Sequence, residues 1–258
     1  MTRTTESPSD ISSLEPTIAV LTCDRPRGFY VGETIQQIDK EGGKALTRRL
    51  YVDGTTKFVD SLKSRLTPFA ANSWEIVRLG ENLGSTEAMR RLIVHSAAMG
   101  RDLLFFEDDL LLCRNAVSRI IAQRVPEDTG IVTFFDMKEV PPGTAPGLYR
   151  TPAEGKQGSG FWGAQCLKFP LETLIHLANK NWEEEGRIGS KMASDILIGR
   201  ILTKHPTRKN LAVHIPNLVE HIGHASACFP GLTLTPRWRR ATNFLGRDFD
   251  ALSLMEMS

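Results

Sequence analysis

Little charge is left over in this chain: 32 Lys and Arg stand against 30 Asp and Glu among 258 residues, a net +2. So balanced a chain lacks the broad basic surface that holds a phosphate backbone, and nucleic acid is not its expected partner. Cysteine is scarce. Cys23, Cys113, Cys166 and Cys228 stand far apart with no Cys-x-x-Cys pair, which argues against a zinc knuckle and a disulfide framework. Each lies in or beside an apolar segment and reads as a small reduced hydrophobe. No apolar run nears the roughly 18 residues of a membrane span. The N-terminus, MTRTTESPSDISSLEP, lacks the apolar stretch of a secretory leader. Residues 1–15 read as a flexible tail, and the expected compartment is the cytoplasm. At 41% hydrophobic and 24% charged, the composition excludes collagen-like, low-complexity and wholly disordered chains.

What is present is alternation. Thr17 to Cys23 is a short apolar strand pattern, stopped by Asp24-Arg25-Pro26-Arg27-Gly28. A helix is predicted over Glu33–Lys44, a strand over Arg49–Asp53 and a helix over Thr56–Leu66. A strand follows at Trp74–Leu79, a helix at Ser85–Met99, a strand at Asp102–Asp108, a helix at Leu111–Arg124 and a strand at Gly130–Phe135. Alternation of this kind predicts an α/β protein with a mostly parallel sheet flanked by helices. Ligands of such sheets bind at the carboxyl ends of the strands. The polar residues gather there: Thr22, Asp24 and Arg25; Asp53; Glu81 and Asn82; Glu107, Asp108 and Asp109.

Residues 138–160 are rich in Pro and Gly, have no period, and read as a long loop. Beyond them a strand is predicted at Phe161–Phe169, helices at Leu171–Asn181 and Ser190–Leu202, and a short strand at His214–His221.

The segment FFEDDLLLC is the most informative. In an extended chain Glu107 and Asp109 point to one side and Asp108 to the other. Two carboxylates converging there suit a hard divalent cation, Mg2+ or Mn2+, completed by a substrate's phosphates. Acids set between Leu-Leu-Phe-Phe and Leu-Leu-Leu are poor candidates for an open surface.

An apolar strand ending in Glu-Asp-Asp resembles the DxD-type motif of GT-A fold glycosyltransferases, and with Glu first it resembles the N-acetylglucosaminyltransferase I and IV group. The resemblance runs over roughly residues 16–230. It implies a single GT-A (Rossmann-like) domain over 16–258, with a nucleotide-sugar half (16–135) and an acceptor half (136–258) carrying a smaller sheet. It implies that Asp109 binds the metal, while Glu107 and Asp108 contact ribose, sugar or metal-bound water. TIAVLTCDRP is similar to the family's first strand and loop, placing Thr22 and Arg25 near the nucleoside, and Asp53 would face the base. ENLGSTEAMRRL is similar to the family's Asn-x-Gly segment. Asn82 and the amides after it would help hold an anion, and Arg90 or Arg91 would bring positive charge to the diphosphate. GSGFWGAQCLKFP resembles an acceptor-side strand, with Trp162 and Gly163 at the sugar site. PNLVEHIGHASAC resembles a late segment whose His completes the metal sphere in some of these families; by position this is His221, with His224 as competitor.

The expected activity is metal-dependent transfer of a sugar from a nucleotide-sugar donor, a UDP-sugar, to an acceptor whose identity the sequence leaves open. An inverting enzyme needs a carboxylate to take the acceptor's proton. Asp195 fits, early in its helix with Met192, Ile198 and Gly199 at helical spacing around it. Ser190 or Ser194 is the expected helix cap. Glu183, Glu184 and Glu185 read as a solvated face. Two rivals share the fold: a nucleotidyltransferase, which usually carries a Gly-rich loop after its first strand where this chain has Asp24-Arg25-Pro26-Arg27-Gly28, and a catalytically silent nucleotide- or partner-binding module.

Overall fold

The structure is a computed structural model. It describes residues 2–3, 15–24, 29–69, 73–81, 83–138, 140–141, 143–152, 163–186, 193–223 and 240–255. The strands are β1 (Thr2–Arg3), β2 (Thr17–Cys23), β3 (Arg48–Asp53), β4 (Glu75–Gly80), β5 (Leu103–Glu107), β6 (Leu110–Leu112), β7 (Thr129–Thr133), β8 (Gly147–Pro152), β9 (Cys166–Phe169), β10 (Asn210–Ile215) and β11 (Val219–His221). The helices are α1 (Val31–Lys40), α2 (Thr56–Leu66), α3 (Ser85–Ala97), α4 (Ala116–Ala122), α5 (Leu171–Ala178), α6 (Trp182–Gly186) and α7 (Ser194–Leu202).

Among the described residues nine strands form one sheet in the order β1-β8-β10-β7-β9-β5-β2-β3-β4, and β11 and β6 form a separate pair. In the large sheet only β8 and β9 run against the other seven. The central strands are apolar on both faces because helices cover both. Ile18 and Val20 of β2, Leu50 and Val52 of β3, and Leu104 and Phe106 of β5 pack with α1, α2 and α4. Ala19, Tyr51, Leu103 and Phe105 point the other way, onto α3, α5 and α7. Each fully buried side chain of this size contributes about 1.5–3 kcal/mol.

The predicted α2 agrees with the structure residue for residue, and the other early elements agree within a few positions. Five differences stand out. The segment 138–160 is not all loop: β8 lies inside it, pairs antiparallel with β10 from Asn210↔Pro152 to Ile215↔Gly147, and packs Tyr149 against Val213 and Ile215. Partners sixty residues away stabilise a strand that local composition hides. The helix predicted from Leu111 begins only at Ala116, because Leu110–Leu112 pairs with β11 and Asn115 adopts a left-handed backbone with φ 59°. The strand predicted over His214–His221 is two strands belonging to different sheets. The cap of α7 is not Ser194, which is the first helical residue after Ala193; Ser190 lies outside the described residues. Thr2–Arg3, in the segment read as a tail, adds a short strand to β8. Among the described residues no helix is long and apolar enough to cross a membrane.

Candidate active site

Parallel strands β2, β3 and β5 end side by side at Cys23, Asp53 and Glu107. The backbone of Glu107 is pinned by the segment leading into β9, its N–H donating to the Gln165 carbonyl at 2.8 Å. Asp108 and Asp109 then turn the chain into β6, which pairs with β11 so that Leu110 faces His221. The late segment of the chain is thereby delivered to the acidic strand end.

Side chains alternate through this turn as the extended geometry requires. Asp108 is buried and accepts a hydrogen bond from Thr22 Oγ1 at 2.5 Å. Asp109, 1% exposed, goes the other way with Glu107. One ligand atom each of Glu107, Asp109 and His221 lies within 4.8 Å of the others, and His221 Nε2 is 3.3 Å from Asp109 Oδ2. Glu107, expected at ribose, sugar or metal-bound water, lies with Asp109 and His221 in one group of candidate ligand atoms. His224 lies outside the described residues.

The residues fit a divalent cation. Two carboxylates and an imidazole in a largely buried site form a donor set of hard oxygens plus one nitrogen, and buried carboxylates this close need positive charge. The backbone is trimmed to suit: a Cβ on Gly223 would collide with Asp109 Oδ2. Beside the cluster, Glu220 Oε1 accepts from the N–H groups of His221 (2.9 Å) and Ala241 (3.0 Å), tying the C-terminal segment to the site. Burial pushes the Glu220 carboxyl upward against the pull of these two bonds.

A small cleft opens next to the Thr22–Asp108 pair. Thr22, Cys23, Phe29, Tyr30, Phe58 and Arg65 line it. The Arg65 guanidinium lies 3.7 Å from the Phe29 ring centre, so the wall offers flat, stackable surface. Thr22 was the expected nucleoside residue here, but the aromatic residues and Arg65 were not read from the sequence: Phe58 and Arg65 sit in α2, 35 residues or more beyond β2. Arg25 lies outside the described residues, as do Asn82 and Trp162.

Other expected residues have partners within the protein. Asp53 is buried and accepts from Leu83 N (3.0 Å) and Gly84 N (3.1 Å), so two of the amides leading into α3 already face an anion. Arg90 forks onto Glu87 at 2.7 and 2.8 Å, and Arg91 meets the same carboxylate. The Arg90 guanidinium holds the Glu87 carboxyl at about 2. Asp195 is half-buried in the first turn of α7. Its Oδ2 accepts from Gly163 N at 2.9 Å and its Oδ1 from Ile196 N at 2.8 Å. The structure thus brings Asp195 and Gly163 together. Gly163 sits at φ +92°, and a Cβ there would strike Gln165.

The architecture is the GT-A fold of glycosyltransferases. Two solved structures carry that statement. GalNAc-T7, solved with UDP, GalNAc and Mn2+, is similar with a TM-score of 0.53 at 14% identity, over 87% of this chain and 46% of that one. The galactosyltransferase LgtC, solved with donor and acceptor sugar analogs, is similar with a TM-score of 0.50 at 11% identity, over 93% of this chain and 94% of that one. This chain therefore spans less than half of the GalNAc-T7 chain. No family model matches the sequence, and no curated protein sequence matches it.

Proposed function

We propose that this protein is a metal-dependent glycosyltransferase that moves a sugar from a UDP-sugar to an acceptor hydroxyl, with inversion. The observation that carries this reading is the convergence of Glu107, Asp109 and His221 at the carboxyl end of a GT-A sheet. The UDP and Mn2+ of GalNAc-T7 and the donor and acceptor analogs of LgtC support the same ligand classes here.

Glu107, Asp109 and His221 hold Mn2+ or Mg2+. When bound, the cation stabilises the charge that grows on the departing diphosphate. The cleft of Phe29, Tyr30 and Phe58, roofed by Arg65, takes the base by stacking. Thr22 holds Asp108 so that this acid keeps to the nucleotide side of the turn. Asp53 serves the donor site by fixing the Leu83–Gly84 turn. Asp195 takes the proton of the acceptor hydroxyl, and its bond to Gly163 N sets its carboxylate beside the acceptor-side chain.

A donor-panel hydrolysis assay with Mn2+ tests this. The wild type is expected to release UDP from a UDP-sugar, and Asp109→Asn is not. No nucleotide release from UDP-, GDP- or CMP-sugars rejects the reading, and release of pyrophosphate replaces it with nucleotidyl transfer.

A further inference from the structure

Two polar side chains of α1 lie buried beneath the acidic turn. Helix α1 presents Val31, Ile35 and Ile38 to the core, and Thr34 (0% exposed) and Gln37 (7%) interrupt that face. Thr34 Oγ1 donates to the Asp108 carbonyl at 2.8 Å and accepts from Leu110 N at 3.2 Å. Gln37 Nε2 donates to the Leu110 carbonyl at 3.2 Å, and its Oε1 accepts from Leu112 N at 3.0 Å.

The backbone groups of this segment divide by parity. Those of Asp109 and Cys113 face the β11 side, through Ile222 N to Asp109 O (3.0 Å) and Cys113 N to Leu218 O (3.1 Å). Those of Asp108, Leu110 and Leu112 face α1. Thr34 and Gln37 therefore fill the edge of β6 that a third strand would otherwise fill. β6 and β11 pair over three residues each with one further backbone bond at either end, a short two-stranded ladder. A slip of one residue would turn every side chain to the opposite face, exchanging Asp109 for Asp108.

We propose that Thr34 and Gln37 are positioning residues for the cation site: they lock the β6 register that sets Asp109 against His221. This rests on reading Glu107, Asp109 and His221 as a cation site. It adds to that reading a control over affinity from residues that touch no ligand.

The experiment is a Mn2+ titration of the full chain, followed by the loss of the free-ion paramagnetic resonance signal. The visible absorption of bound Co2+ reports the coordination, and thermal melting reports the fold. Gln37→Leu and Thr34→Val are expected to weaken Mn2+ binding about 10- to 100-fold, the range for groups that orient metal ligands, and to change the Co2+ band. Thr34→Ser, which keeps the hydroxyl, should bind within about threefold of the wild type on the same scale. Wild-type affinity and an unchanged Co2+ band in both Gln37→Leu and Thr34→Val would overturn the positioning role while leaving the cation site standing. A wild type that binds neither ion overturns the cation site and this role with it. If Gln37→Leu yields no folded protein, the Thr34→Ser and Thr34→Val pair decides alone: equal binding by the two overturns the proposal.

Discussion

His221 Nε2 lies 3.3 Å from Asp109 Oδ2, although the two residues come from opposite halves of the chain. Strand β11 carries His221 to this point by pairing with β6, and Ile222 N closes onto the Asp109 carbonyl at 3.0 Å. The pairing brings together a group of candidate cation ligands that neither segment holds by itself.

Removing either group should empty the site. Asp109→Asn and His221→Gln are each expected to weaken Mn2+ binding by about 100-fold or more, since each deletes a direct ligand rather than a supporting group. Calorimetry with Mn2+ and UDP measures this. Wild-type binding by Asp109→Asn would dismiss the assignment.

Gly223 is confined by Asp109. In Gly223→Ala the added methyl meets Asp109 Oδ2, so the carboxylate or the segment after β11 must move. The expected cost is about 1–3 kcal/mol of stability, from overpacking. Weaker Mn2+ binding should accompany the lower melting temperature. Retention of both would show that the segment relaxes freely.

Asp195 holds the Gly163 N–H and is the proposed base, and these two jobs should separate. Asp195→Asn keeps an oxygen for the Gly163 N–H, gives up the acceptor for Ile196 N and cannot take a proton, and turnover should fall about 10²- to 10⁴-fold with a change in melting temperature smaller than that of Asp195→Ala. Asp195→Ala loses the clamp as well and should also loosen the Gly163 chain. Full turnover in Asp195→Asn, with an identified donor and acceptor, would remove it as the base.

Arg65 over Phe29 should matter to nucleotide binding and not to the cation. Arg65→Ala is expected to weaken UDP binding about fivefold, the scale of one exposed cation–π or stacking contact, with Mn2+ affinity unchanged. Titration of each ligand in turn separates the two effects.

Acid should weaken the fold through His214. This residue is fully buried in β10; its Nδ1–H donates to the Pro216 carbonyl at 2.7 Å, and Nε2 has no partner among the described residues. Burial pulls the imidazole down to about 4 from 6.5. Between those values the unfolded chain binds a proton that the folded one refuses, so stability is full above pH 6.5 and declines as pH falls toward 4. The loss is about 3 kcal/mol at most. Urea unfolding at pH 7 and pH 4.5 measures it, and His214→Phe should remove this share of the difference. An unchanged difference would refute it.

Legibility in the sequence followed the range of the forces involved. The alternation of β2, α1, β3, α2, β4 and α3 could be read because each buries its own apolar pattern against the next. The acidic strand end could be read because three acids among so many Leu and Phe residues are conspicuous along the chain. The division of Asp108 from Glu107 and Asp109 followed from the two-residue period of an extended backbone alone. β8 could not be read, because its strand character comes from β10. Nor could the positions of Thr34 and Gln37, whose partners are backbone groups of a turn some seventy residues away.

By itself, then, the sequence determined an α/β sheet with its acids at the strand ends and a pair of histidines late in the chain. Tertiary structure decided that Glu107 and Asp109 meet His221: β6 and β11 form a ladder with one register, α1 holds one edge of it, and Gly223 leaves room for Asp109. It also set the partners of Asp53 and Arg90 within the protein, on the Leu83–Gly84 amides and on Glu87. The reason is physical: a periodic pattern along the chain specifies which face a side chain takes, whereas the distance between two ligand atoms depends on pairings between segments that local pattern does not encode.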